Sequence, residues 1–152
     1  MSDAGSVAVG HFAGGYNCCQ SVLLSLCGPA GLDAALAVRL ATGFGVGMAR
    51  GGVCGAVSGA VMALGLFGGG GGPDGRAAKT ATYARTKVIY DRFFERHGSI
   101  ICRDLIGLDP STPEGLELAN RERRFHTVCV PLVRDAACLA WDIIESRGFV
   151  AG

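Results

Sequence analysis

From Gly51 to Pro73 the chain carries no charged side chain, and within that stretch Gly55, Gly59 and Ala63 recur at every fourth position. Small residues at that spacing share one helix face and let a second helix come close, either in a bilayer or in a protein core. Length separates the two cases. The helix expected here runs over 14 residues, from Val53 to Leu66, before glycines take over at Gly68, whereas a bilayer crossing takes about 20. Membrane insertion is therefore not expected, and the stretch reads as a helix buried at the centre of the fold.

The other elements are read from their ends. Asn17-Cys18-Cys19-Gln20 has the form of a capping box opening a helix that stops at Gly28-Pro29. Asp33 caps a second helix through Leu40, and Thr112-Pro113 starts another with proline in its first turn. A long helix from about Ala77 to His97 carries Tyr83, Ile89, Tyr90, Phe93 and Phe94 as an apolar stripe. Ser99 is expected to cap a short helix ending at Gly107, and Thr127 or Cys129 to cap the last. There Val130, Val133, Ala137, Ala140, Trp141 and Ile144 keep helical spacing. No segment alternates polar and apolar residues for long enough to make a sheet. The expectation is an all-α fold, a compact bundle of about six or seven helices around the small-residue-rich one.

Charge is distributed unevenly. Residues 1–75 hold 20 of the 25 glycines but only Arg39 and Arg50 as bases and Asp3, Asp33 and Asp74 as acids, against 12 bases and 10 acids in residues 76–152. The seam is a glycine-rich loop at 68–76, which fits neither a helix nor a strand interior. Neither half offers a good core alone, so residues 1–152 are read as one domain with a flexible connection. A net charge of +1 and the Glu117 and Glu122 interruptions around Arg121 to Arg124 argue against nucleic-acid binding. The first ten residues contain no Lys or Arg, so they lack the basic start of a signal peptide, and a reducing cytoplasmic setting is expected.

Seven cysteines in that setting point to metal, catalytic or redox chemistry rather than a disulfide scaffold. Cys18, Cys54, Cys102 and Cys129 all fall at expected helix N-termini. Unpaired N–H groups and the positive end of the helix dipole favour a thiolate there, the form that attacks disulfides and ligates metals. If those four ends converge, they make an anion-stabilising pocket lined with sulfur. Cys27, at a helix C-terminus, Cys138, in mid-helix beside Arg134, Asp135 and Asp142, and Cys19, turned away from Cys18, are assigned to packing. A free cysteine is also an ordinary small buried hydrophobe, and spacing alone leaves that reading open for the four as well.

Taken together, Asn17 to Leu23, the run Gly45-Val46-Gly47-Met48-Ala49-Arg50-Gly51-Gly52-Val53-Cys54-Gly55-Ala56-Val57-Ser58-Gly59-Ala60, the segment around Cys102, and Cys129 resemble the C_GCAxxG_C_C family, small proteins regarded as redox-active. The likeness runs from about Phe12 to Ile144, and the family's cysteines fall on Cys18, Cys54, Cys102 and Cys129. Cys19 stands where the pattern usually has alanine. The family is similar in part to split-Soret cytochromes, which carry haem and an iron–sulfur cluster. No Cys-x-x-Cys-His sequence is present for haem attachment, but the resemblance implies a cluster site, for which four thiolates are the usual ligand count.

Gly43 to Gly47 lacks the strand, the third glycine and the acid of a dinucleotide-binding fingerprint. Gly47, Gly52 and Gly55 are instead expected to allow tight turns near Cys54 and to offer N–H groups to a bound anion. His97 is read as the end of a helix, and His126 as an exposed loop residue rather than a ligand replacing Cys129.

The function expected is redox chemistry at the four cysteines, through an iron–sulfur cluster for electron transfer or sensing with a separate redox partner protein. A metal-free thiol–disulfide switch, with Cys18 and Cys54 as the reactive pair, is the first alternative. A non-catalytic partner-binding module associated with transporters is the second, and a zinc site also suits four cysteines. A homodimer would suit so apolar a chain.

Overall fold

The computed structural model describes residues 3–146, and among them every named element is helical, with one isolated antiparallel bridge between Val53 and Ile101. The elements are α1 (Ala4–Ala13), α2 (Cys18–Cys27), α3 (Ala34–Ala41), α4 (Gly55–Gly68), α5 (Arg76–His97), α6 (Cys102–Ile106), α7 (Pro113–Arg121), α8 (Arg124–Thr127) and α9 (Cys129–Ser146). Short turns of tighter or looser helix cover Gly28–Ala30, Thr42–Phe44 and Gly47–Gly51.

Helix α4 is the central element, packing on α2, α5 and α9. Its stripe of small side chains is the reason. Gly55, Ala56, Gly59, Ala60 and Ala63 are buried, and a Cβ at Gly59 would lie 2.8 Å from the carbonyl oxygen of Cys19, so α2 approaches to backbone contact. No helix of the described residues is long and apolar enough to cross a membrane.

The capping signals are realised at three starts. At α2 the Asn17 side chain accepts from Gln20 N–H and Gln20 reaches back to Asn17 N–H, both at 2.9 Å. Asp33 accepts from Leu36 N–H and Thr112 from Gly115 N–H. The glycine run ends α4 and returns the chain into α5, where the Thr82 hydroxyl donates to the Gly68 carbonyl.

Four expectations change. Helix α1 and the four-residue α8 are additions to the six or seven helices expected, and in α1 the small residues Ala4, Gly5 and Ala8 are buried where it packs on α2 and α9. In α5 only Ile89 and Phe93 are fully buried, while Tyr83 and Phe94 are 62 % and 56 % exposed, so the apolar stripe is narrower than five residues. Helix α4 begins at Gly55 instead of Val53, because Val53 is held extended opposite Ile101. For the same reason α6 begins at Cys102, and the Ser99 hydroxyl accepts from Ile101 N–H without capping a helix.

Candidate functional site

Each of the four selected cysteines stands at a helix start in the structure. Cys18, Cys102 and Cys129 are the first residues of α2, α6 and α9, and Cys54 is the N-cap of α4. Two of these starts are clipped together. Cys54 N–H donates to the Ile100 carbonyl at 2.8 Å and Cys102 N–H to the Gly52 carbonyl at 2.6 Å, so one extended pairing sets both segments in register.

All four side chains line a single cavity of about 230 Å³. Asn17 is the one polar side chain in its wall, which is otherwise built from apolar groups including Phe12, Val46, Leu105, Ile106, Leu116, Phe125 and Leu132. The four sulfurs thus come from residues separated successively by 36, 48 and 27 positions along the chain, and only the tertiary packing of α2, α4, α6 and α9 unites them. Among the described residues, no three His, Cys, Asp or Glu side chains close on a point where a single metal ion would be held. The sulfurs surround a space.

The backbone serves the four unequally. Around Cys18 the N–H groups of Val46, Cys19, Gly55 and Cys18 itself favour the thiolate, and around Cys54 those of Ala56 and Val57 do so. The Val46 donor comes from an unusual turn: Val46, Gly47, Met48 and Ala49 all have positive φ, between 56° and 60°. Left-handed conformation is costly for valine, and the turn is closed by Gly52 N–H donating to the Gly47 carbonyl at 2.9 Å. Gly55 leaves room for the Cys18 sulfur, which lies where a Cβ would otherwise be. Gly55 thus lines the cavity, whereas Gly47 and Gly52 are not in its wall and act in the turn beside it.

The expectation that these helix ends hold free thiolates is corrected by burial. Desolvation is the largest influence on every one of the four and raises each thiol above its ordinary value of 9.0, with Cys102 at about 11 and Cys129 at about 12. Mutual repulsion adds to it, Cys18 acting on each of the other three. Donors reduce the penalty at Cys18 and Cys54 without overcoming it. With no cation in the wall, the metal-free site is a set of neutral thiols.

The remaining candidates lie elsewhere. Cys19 is buried with its sulfur 3.9 Å from Met62 Sδ, Cys27 closes α2, and the Cys138 sulfur packs against Gly5. His126 is exposed, and His97 pairs with Asp135 at 2.9 Å. The Val46–Ala49 turn is the feature that sequence reasoning missed; glycines at Gly45 and Gly47 signalled a turn, but nothing signalled a left-handed valine.

A helical fold that gathers four cysteines from four helix starts around one apolar cavity defines a class of cysteine-site protein. The chain belongs to the C_GCAxxG_C_C family, whose description is "Putative redox-active protein (C_GCAxxG_C_C)" and whose pattern matches residues 16–143. The match spans all four cavity cysteines. No curated protein and no solved structure matches the chain.

Proposed function

We propose that Cys18, Cys54, Cys102 and Cys129 hold an iron–sulfur cluster and that the protein uses it for electron transfer or sensing. The observation that carries this reading is the arrangement of four cysteines around one apolar cavity. Four deprotonated thiols there have no positive side chain to balance them, so the charge must come from what they bind. Bound iron supplies that charge and the one-electron chemistry. The ring of sulfurs around a cavity suits a group with several metal atoms better than one zinc ion, whose four ligands close to about 2.3 Å from a single point. This chain's residues would contribute ligand sulfurs, N–H donors to the Cys18 and Cys54 sulfurs, and an apolar wall that excludes water.

One observation favours a second reading, the thiol–disulfide switch. The Cys18 sulfur has the most backbone donors and the closest electrostatic ties to the other three cavity thiols. Against an external disulfide it would be the attacking thiol, displacing one external thiol to form a mixed disulfide that Cys54 resolves as the second external thiol leaves.

Anaerobic reconstitution with iron and sulfide, followed by metal and sulfide analysis, visible absorption and electron paramagnetic resonance, tests the two together. A brown protein with matched iron and sulfide supports the cluster. A colourless one holding stoichiometric zinc, or one losing two titratable thiols on mild oxidation, overturns it. Gly55→Ala puts a methyl where the Cys18 sulfur sits, so its iron content is expected to fall well below that of the wild type while the helical fold persists.

A further inference from the structure

The segment from Gly107 to Thr127 forms part of the wall of the sulfur cavity. Helix α7 packs chiefly on α8, and α8 on α9, so the segment lies outside the α2–α4–α9 core. It contributes Phe125 and Leu116, the latter 41 % exposed, to the cavity lining. Its first joint, Gly107 at the end of α6, has left-handed backbone at φ 76°, and inside it a second left-handed residue, Arg123 at φ 55°, turns the chain from α7 into α8.

One side chain ties this wall down. Arg124 Nη1 donates to the Ile106 carbonyl at 2.6 Å, while its Nε and Nη2 hold the Glu122 carboxylate at 2.7 and 2.6 Å. The guanidinium lies over Gly107, where a Cβ would be 2.9 Å from Nη1. Arg124 therefore fastens the end of the helix that begins at Cys102 to the short helix that leads into Cys129. A charged donor on a free helix-end carbonyl is a strong, reversible bond.

We propose that residues 107–127 are a flap over the sulfur cavity and that Arg124 is its clasp, its release from the Ile106 carbonyl opening Cys102 and Cys129 to small molecules from solvent. The flap governs access and does not depend on what the sulfurs bind. Since the cavity wall has no charged side chain, uncharged molecules enter ahead of anions.

The test is the modification rate of individual cysteines, read by mass spectrometry on the full-length metal-free chain. Iodoacetamide is the neutral probe and iodoacetate the anionic one. Arg124→Ala is expected to raise iodoacetamide labelling of Cys102 and Cys129 about tenfold, an opening shift within the worth of one charged hydrogen bond. Cys27 and Cys138, outside the cavity lining, serve as internal references and stay within about twofold. Glu122→Gln, which keeps the donor but frees the guanidinium, raises the same two sites about threefold. Labelling that rises equally at all cysteines shows general loosening and overturns the clasp, as does no rise at all. Equal entry of iodoacetate also overturns it. If Arg124→Ala fails to fold by circular dichroism, Glu122→Gln decides alone: no selective rise overturns the proposal. Failure of the wild type to take up iron would leave these rates unaltered, so the two ideas fail separately.

Discussion

The Cys18 sulfur is where several local demands meet. It needs Gly55 for space, Val46 in a left-handed conformation for a donor, and the Asn17 capping box to fix the start of its helix. Even so, burial keeps it a thiol. That has a consequence for stability. In the metal-free chain the folded-state values of Cys102 and Cys129, about 11 and about 12, lie above the ordinary 9.0. Folding then favours the protonated form, so the thiols' contribution is fully present below about pH 9 and is lost as pH rises through the folded values. The melting temperature of the metal-free protein should fall between about pH 9 and pH 12, and fall less in Cys102→Ser and Cys129→Ser variants. Thermal scans across that range check it. A flat profile would mean that water reaches these sulfurs freely.

Among the elements, α4 shows most clearly how sequence becomes packing. Its uncharged run and four-residue spacing of small side chains were sufficient to place it at the centre, and the structure puts Gly59 against the α2 backbone. Gly59→Ala must push α2 outward and is expected to cost about 1–3 kcal/mol. Gly65 provides the contrast: it is on the same helix, with nothing within 4 Å of the added Cβ. Gly65→Ala should stabilise by about 0.4–1 kcal/mol through helix preference and a less flexible unfolded chain. Chemical denaturation of both variants measures the opposite signs. Helices with a polar start, such as those capped by Asn17, Asp33 and Thr112, were equally legible, because a cap is a local event. Elements set by distant partners were not. Helix α1 has no side-chain cap, and its buried face is only Ala4, Gly5 and Ala8, a pattern that means little until α2 and α9 are beside it. The delayed starts of α4 and α6 come from the Val53–Ile101 pairing, a contact between segments that sequence keeps far apart. The left-handed turn at Val46 likewise depends on Gly52 closing it and on the site it serves.

At the scale of the molecule, the four-cysteine pattern foretold a shared site, but its character came from the surroundings. Helix ends alone suggested anion-stabilising polarity, whereas the assembled wall of Phe12, Leu116, Phe125 and Leu132 makes burial dominant. The site also straddles the seam in charge. Cys18 and Cys54 come from the glycine-rich half and Cys102 and Cys129 from the charged half, and the core mixes α2 and α4 with α5 and α9. The halves are joined by the glycine loop that follows α4, and packing rather than the loop holds them together. Two results should follow. Doubling the loop with glycine and serine should cost only about 0.6 kcal/mol, since closure entropy grows slowly with length, and should leave iron uptake unchanged. Residues 1–70 and 75–152 made as separate chains should each lack stable helical structure, because each is missing half of the core that covers it. Mixed together, they should regain helicity and the cavity thiols' slow labelling. Circular dichroism of each fragment and of the mixture decides: two independently folded halves would show that the cavity is an interface between domains instead of the interior of one.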